Sequence, residues 1–587
     1  MKKINKLVLT AVAGLVLLYS CKDTFLDVPV TGQLDQNILS GRLGLDASLL
    51  AVYSQVNGRG NRMASPSNWV WGSIRGADAN KGTDPGDYST INPVQRYAAL
   101  PTGDVIADKW NGNYEGVARA NATLKLLANA AEDVDDDFKT SIEAQAKFLR
   151  AHFYFELTRA YHLVPYVDET IDYGTGIELV KNDVEIWDKI VADMQFAADK
   201  LPDTQSEVGR VNKWAAKAYL AKIYMYMASP GYGNEGAPKY TAAKALFDEI
   251  IDKGKTSNGK KYELVRNFAD VFKASNDNHE ESIWAYQNAA NTGSVNNAAP
   301  DFDLNWPYNT GPDGPGNCCS FFQPTFESAN WFRTSGGLPI TTSTGGVMDY
   351  NRGANQVKTD MGLESSDPFA PDAGPLDTRI DHSIGRRGIP YLDWKVFPGK
   401  AWIRNQPNAG PYQTKKFVYY KTDKGSLQDN SSWTPGYTAI NFPIIRFADV
   451  LLMAAEAEIE VGDLDKALGY INRVRARAKA SPLADSPSNY DMELYTSFAD
   501  KAAATTAVRM ERQLELHSEG HRFYDLVRWN VAKETLNAFI TYEAPKYGLG
   551  ALDGASFGDE DKYLPIPQAQ LDLLNVTEQI LKQNPGY

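Results

Sequence analysis

The sequence predicts a mainly α fold: irregular tetratricopeptide-type helical repeats with a large loop-rich ligand-binding insertion. Three observations predict it. Helical periodicity dominates from about residue 35 to 290 and returns after 440. A tight turn at Gly462-Asp463 joins two helices into a hairpin. Between them, residues 291–440 are rich in Gly, Pro, Asn, Ser and aromatics and show no helical period.

The elements follow in order. Residues 1–20 read as a secretion signal: Lys2, Lys3 and Lys6, then the apolar run Leu7 to Leu18, then Tyr19-Ser20 before Cys21. That run is shorter than the roughly 20 residues a spanning helix needs. A leucine three residues before a cysteine, with a small residue directly before it, is how bacterial lipoprotein signals end, so Cys21 is the expected lipidation site. Residues 21–34 then form a lipidated tether. In the repeat region 35–290, Ile142 to Tyr161 is the strongest helix. Leu149, Phe153, Leu157 and Ala160 make one stripe, and Phe148 and Phe155 begin a second, so burial on two sides is expected. Asp183 to Lys200, Lys213 to Met227 and Tyr240 to Ile251 are further helices. The repeats resume over 441–545 with Arg446 to Val461, Asp463 to Lys479 and helices within 504–540. Gly462 stands at a C-cap and Asp463 at an N-cap. Residues 546–587 form a tail packed on the repeats. No 34-residue period is clean, hence irregular repeats.

Composition narrows the function. The chain has 587 residues, 43% hydrophobic and 23% charged, which suits a globular protein of more than one structural unit. Its formal charge is -13, and loss of the three signal lysines makes it -16. Such an acidic chain lacks the clustered Lys and Arg that nucleic-acid phosphates need, and it does not bind an anionic membrane by charge. Membrane attachment is therefore expected through the lipid alone. Besides Cys21, only Cys318 and Cys319 remain, which is no disulfide framework. An oxidising compartment would allow these neighbours to bond, but adjacent cysteines pair badly, so both states stay open.

Motifs that would signal catalysis or a cofactor fail on context. Gly554-Ala555-Ser556-Phe557-Gly558 has the spacing of a nucleophile elbow but lies in a Gly-rich acidic loop. Gly231 to Gly236 follows a helix, where a dinucleotide fingerprint should follow a strand. His517 and His521 would share a helix face, but Glu519 is misplaced for a zinc protease. The run Asp133-Asp135-Asp137 lacks a calcium loop's glycine and its bidentate glutamate, because Phe138 and Ala144 stand there. No cofactor or metal is predicted.

Several segments together resemble the RagB/SusD family of nutrient-uptake lipoproteins of Bacteroidetes-type bacteria. Cys21-Lys22-Asp23-Thr24-Phe25-Leu26-Asp27-Val28-Pro29 is similar to the family's mature start, with Lys22-Asp23 like its surface-export signal. Trp110, Tyr114, Ala118 and Asn121 fit its first repeat helix. Ala144 to Ala151 with Tyr154-Phe155 and Val164-Pro165-Tyr166 fit its second. Arg446 to Met453 with Ala455-Glu456-Ala457 resembles a late repeat. The most specific stretches are Glu511 to Leu516 and Glu519 to Trp529, followed by Tyr563 to Gln568 and the ending Gln583 to Tyr587. The loop-rich middle matches least. The resemblance implies a surface lipoprotein of the outer membrane that captures an oligosaccharide and caps a SusC-like TonB-dependent transporter as its lid. It implies binding and gating, with no enzymatic step. Rival readings are the same lid for peptide cargo, a surface glycoside hydrolase and a protein-binding repeat scaffold.

Sugars present apolar CH faces and a rim of hydroxyls, so their sites combine exposed aromatic plates with Asn, Asp, Gln and Arg. Two stretches have that mixture. One is Asn68-Trp69-Val70-Trp71 with Arg75, Asp78 and Asn80, where Trp69 and Trp71 would share a side if extended. The other is the central region, with Asn305-Trp306-Pro307-Tyr308, Cys318-Cys319 and Asn330-Trp331. If bonded, Cys318-Cys319 would make a flat patch able to pack on a sugar ring. Arg386, Arg387, Tyr391 and Trp394 are further candidates. For each tryptophan the alternative is core packing, and for Arg75 and Asp78 an ion pair.

Overall fold

A computed structural model describes residues 39–59, 62–299, 301–302, 304–316, 318–431, 434 and 436–587. The expected signal, Cys21 and the whole tether lie outside the described residues.

Among the described residues the helices of seven residues or more begin with α1 (Arg42–Tyr53), α2 (Asp104–Ala128), α3 (Asp136–Tyr161) and α4 (Trp187–Lys200). Next come α5 (Lys213–Ala228) and α6 (Ala237–Lys253). After the insertion follow α7 (Phe447–Val461), α8 (Leu464–Lys479) and α9 (Lys501–Glu515). The last are α10 (Arg522–Arg528), α11 (Ala532–Glu543) and α12 (Gln568–Leu574). The mainly α expectation holds. Local chemistry sets the ends. Asp135, the middle acid of the Asp133-Asp135-Asp137 run, caps α3 by accepting from the Phe138 amide at 2.8 Å. Asn212 caps α5, Asp463 caps α8 and Asp500 caps α9 in the same way.

From α2 to α6 each helix packs on the next, and α3 is buried on two sides, between α2 and α4. Phe148, Leu149, Phe153, Phe155 and Leu157 are all core. The layer then continues across the long insertion, because α6 packs on α7, and α7 in turn on α8 and α9. Helix Phe447–Val461 is buried along nearly its whole length, and this junction covers its apolar residues while its buried acids Asp449, Glu456 and Glu458 meet cations there. The insertion leaves and rejoins the repeats at one place. Strands β2 (Ser282–Tyr286) and β4 (Phe442–Arg446) pair antiparallel there, with Tyr286 facing Phe442 and Ser282 facing Arg446. The sequence reading put 282–286 in the helical part; its Ile, Trp and Tyr favour a pleated strand instead.

Within the insertion the described residues form short two-stranded pairings and single helical turns. A set of buried ion pairs fixes it to the repeats. Arg446 pairs with Glu281 at 2.6 Å and with Glu515 and Glu519 at 2.7 Å. From the insertion, Lys416 reaches Glu519 at 2.6 Å, and Arg379 reaches Glu511 at 2.7 Å and Glu515 at 3.1 Å. All of these side chains are buried, so each charge is tolerable only because it is paired.

The tail 546–587 lies on the repeats, where Leu564 donates its amide to the Ala160 carbonyl at 2.7 Å and Asn584 Nδ2 to that of Tyr161 at 2.9 Å. Among the described residues no helix is long and apolar enough to cross a membrane.

Candidate functional site

Two short strands build one wall of a cleft. β1 (Ala79–Gly82) pairs antiparallel with β3 (Phe321–Pro324), bringing Gly82 opposite Phe321. The approach requires glycine: Gly82 has φ +80°, and a Cβ there would sit 2.5 Å from the Ser320 carbonyl oxygen. The Thr83 amide donates to that same oxygen at 2.5 Å. Around this contact four non-glycine residues take left-handed backbone: Thr83 (φ 53°), Tyr88 (φ 45°), Ser320 (φ 67°) and Phe322 (φ 54°). Such residues cost roughly 1–3 kcal/mol each and persist where the surroundings over-determine them. Here Gln413 Nε2 donates to Ser320 Oγ, and Gln323 Nε2 donates to the Tyr412 carbonyl at 2.6 Å.

Directly before Ser320, Cys318 and Cys319 are joined as a vicinal disulfide. Cys319 is buried and Cys318 half-buried. The two sulfurs line a cleft of about 540 Å³ together with Arg62, Asp87, Tyr88, Asp108, Leu304 and Phe321. The Tyr88 ring meets Phe321 edge-on at 6.4 Å, and Trp69 supports Phe321 and Phe322 from behind at 6.4 and 5.7 Å.

The loop carrying Tyr88 is held rigid. Asp84 Oδ1 accepts from the amides of Gly86 and Asp87 at 2.9 Å. Arg404 pairs with Asp84 at 2.5 Å and with Asp87, and its guanidinium lies 5.7 Å from the Tyr308 ring centroid. Lys81 Nζ donates to the Asp84 and Asp87 carbonyls at 2.9 and 2.7 Å, and burial lowers its pKa to about 8. Opposite stands Asp108, in the first turns of α2. Burial, and then the neighbouring Asp104, raise its pKa. No described residue bonds its carboxylate. The cleft thus pairs apolar faces (tyrosine, phenylalanine, disulfide) with carboxylates and the Arg62 guanidinium. That combination can pack on a sugar's CH face while its hydroxyls donate to acids and accept from the arginine.

The sequence candidates divide sharply. Cys318 and Cys319 line the cleft, and half-buried Tyr308 reaches its rim through Arg404. The others are corrected. Trp69 and Trp71 are not extended plates: Trp69–Ile74 is a π-helical turn in the core, and Trp71 Nε1 donates to the Met63 carbonyl at 2.7 Å. Arg75 stacks on Phe523 at 4.0 Å and donates to the Asp561 carbonyl. Asp78 accepts from the Ser518 amide at 3.0 Å, and burial pushes its carboxyl up to about 7. Asn80 donates to the Ala409 carbonyl at 2.9 Å. Trp306 belongs to a small second core with Tyr391, Trp394, Phe397 and Trp402. Asn330 has its amide engaged by Asn351, Tyr542 and Val357 at 2.9, 2.8 and 2.7 Å. Trp331 packs on His517 at 6.0 Å. Arg386 pairs with buried Asp381 at 2.6 Å, and Arg387 donates to the Ser365 carbonyl at 2.9 Å. A tryptophan lowers its free energy by joining a core, whereas the buried Arg, Asp and Asn side chains are tolerated there because each is paired or hydrogen-bonded.

Sequence reasoning missed Arg62, Asp87, Tyr88, Asp108, Leu304 and Phe321. One signal was available. Asp84-Pro85-Gly86-Asp87 is a surface turn, and a tyrosine directly after it is poorly placed to be core.

His517 and His521 do not share a helix face, because the chain leaves the helix after Glu515 and re-enters at Arg522. Both rings are buried, which lowers their pKa, His521 to about 3. Among the described residues no group of three or more His, Cys, Asp or Glu is placed to hold a metal ion.

Comparison with known proteins adds the following. Residues 280–587 match the model of the SusD family, and residues 79–225 match a model described as starch-binding associating with outer membrane. A SusD-like protein P2 from Formosa agariphila is 23% identical over 555 residues, covering 91% of this chain and 92% of that protein. A SusD superfamily protein from Bacteroides vulgatus superposes with TM-score 0.65 at 21% identity, covering 93% of this chain and 99% of that one. Surface glycan-binding protein A from Bacteroides thetaiotaomicron, solved with laminarihexaose, superposes with TM-score 0.63 at 20% identity, covering 93% and 99%.

Proposed function

This chain belongs to the SusD family, and from that premise we propose that it captures oligosaccharides in the cleft at Cys318–Cys319 and hands them to a SusC-like TonB-dependent transporter, which it covers as a lid. The protein is a binding protein and not an enzyme, as its family is. It works at the outer membrane, held by lipid on Cys21 and facing outward; the family description matched by residues 79–225 supports the membrane.

The observation that carries glycan as cargo is the cleft's make-up. A disulfide face and a half-buried tyrosine, the latter on a loop braced by Arg404, stand beside Asp87, Asp108 and Arg62. The similar fold solved with laminarihexaose supports a saccharide ligand. The repeat layer and its ion-paired insertion form the frame that presents the cleft and meets the transporter.

The test is calorimetry on residues 22–587 with laminari-, malto- and xylogluco-oligosaccharides and a set of peptides. Heat with one glycan class is expected, cut about tenfold in Tyr88→Ala, with no product released. Heat with peptides alone would move the cargo to peptide. Glycan binding untouched by Tyr88→Ala would remove the cleft from the account.

A further inference from the structure

A second concavity, of about 380 Å³, opens at the far end of α1, between the 207–210 loop, β2 and residues 287–297. It falls in the size range of small-ligand sites, roughly 300–1,000 Å³. Its floor is apolar, with Val56 and Trp284 both buried, and Leu50 stands exposed at its edge. Its rim is unusually rich in amides and carries Arg59. Two of those polar groups are uncommitted: among the described residues nothing bonds the side-chain amide of Asn296 or the guanidinium of Arg59. The remaining charges are satisfied among themselves, because Arg210 pairs with Asp46 at 2.8 Å and with Glu207.

We propose that this pocket is a second saccharide site, separate from the cleft, in which Asn296 and Arg59 bond sugar hydroxyls over the apolar floor at Trp284. An amide offers donor and acceptor side by side, the pattern that vicinal hydroxyls complement. A pocket with no unpaired carboxylate and an apolar base suits a short neutral oligosaccharide. The alternative, an extended peptide adding to the free edge of β2, is blocked. Gln287 Nε2 caps the Ala285 carbonyl at 3.2 Å, and Gly209 lies so close that a Cβ there would be 2.7 Å from Gln287 Cγ.

The experiment disables each site in turn. Laminarihexaose, maltohexaose and a xylogluco-oligosaccharide are titrated into wild type, into a cleft variant Tyr88→Ala/Asp108→Ala and into a pocket variant Arg59→Ala/Asn296→Ala. The pocket substitutions remove side chains that bond nothing among the described residues, so the variant is expected to keep the wild-type unfolding midpoint. The expected result is residual one-to-one binding of a panel member to the cleft variant, weakened at least tenfold when the pocket pair is added. The proposal is overturned if the cleft variant binds no panel member, if its residual binding ignores the pocket pair, or if only peptides compete for it. Binding that responds to the pocket pair and not to the cleft pair would instead sink the cleft reading and leave this one standing.

Discussion

The seam between insertion and repeats, and the cleft at Cys318–Cys319, are both made of arginines, acids and aromatics, yet they hold these groups in opposite states. In the seam every charge is buried and answered: Arg446 alone meets three carboxylates, from Glu281, Glu515 and Glu519. In the cleft the charged groups are half-buried, and Asp108 has valence to spare. The seam therefore fixes geometry and the cleft remains available for chemistry. The difference also explains which stretches resemble the family most. Glu511 to Leu516 and Glu519 to Trp529 are the seam and its continuation: Arg512 meets Asp449 at 2.7 Å and Asp525 at 3.0 Å, and Arg528 meets Asp525 at 2.8 Å. Motif strength marked the scaffold, and the loop-rich middle carried the fewest motifs.

Breaking the seam should have the largest effect. Arg446→Met leaves three buried carboxylates short of a partner, and loss of one member of such a set costs about 3–5 kcal/mol. Chemical denaturation should show that loss; a shift below about 1 kcal/mol would mean the remaining cations reclaim the acids. Trp71→Ala comes next, at about 3–5 kcal/mol for a buried tryptophan. The glycan affinity of its folded fraction should stay at the wild-type value, because Trp71 is core. A selective loss of binding would return Trp71 to the site.

Acid should weaken the frame. Burial opposes ionisation of Glu156, but Arg159 and Lys109 outweigh it and hold its carboxyl down at about 2. Arg512 and Arg528 do the same for Asp525, also at about 2. These folded values lie below the unfolded ones of about 4, so the stabilisation is complete above pH ~4 and is lost as pH falls towards ~2. Denaturation midpoints should hold between pH 6 and 4 and fall from pH 4 to 3 and again to 2. Asp78 runs the other way. Burial raises it to about 7, so its contribution is present below pH ~4 and fades as pH rises through 7. Asp78→Asn should flatten that upper limb.

Cleft substitutions should read out in binding alone. Tyr88→Ala is expected to cost about tenfold in affinity, ~1.4 kcal/mol, with an unfolding midpoint close to wild type. The smallest effect is expected from reducing Cys318–Cys319. A bond between neighbours closes almost no loop, so it removes little chain entropy and the midpoint should barely move. Affinity should fall severalfold, since the flat disulfide face is lost. An unchanged affinity in reducing buffer would show that ligand does not touch it.

Much of the repeat layer was legible because helices declare themselves locally. The stripe in Ile142 to Tyr161, the Asp463 cap and the Gly462 stop all appear at their expected places. The strand pair that closes the insertion was missed, since five residues at Ser282–Tyr286 carry too little period to stand out from neighbouring helix. The site was less legible still. Composition pointed to Trp69, Trp71, Trp306 and Trp331, and all four proved to be core, because a tryptophan's identity does not say which side of it meets water.

By itself the sequence determined the helix order, the caps, the place where the periodicity breaks and the adjacency of Cys318 and Cys319. These depend on residues within a turn or two of each other. Only the tertiary structure decided that Gly82 and Phe321 would meet, that Tyr88 and Asp108 would face the disulfide, and that the acids of α9 would answer cations from the insertion. Those contacts join residues far apart in the chain. They are selected by the free energy of burying apolar surface and of pairing buried charges, summed over the whole fold, and no local pattern records that sum.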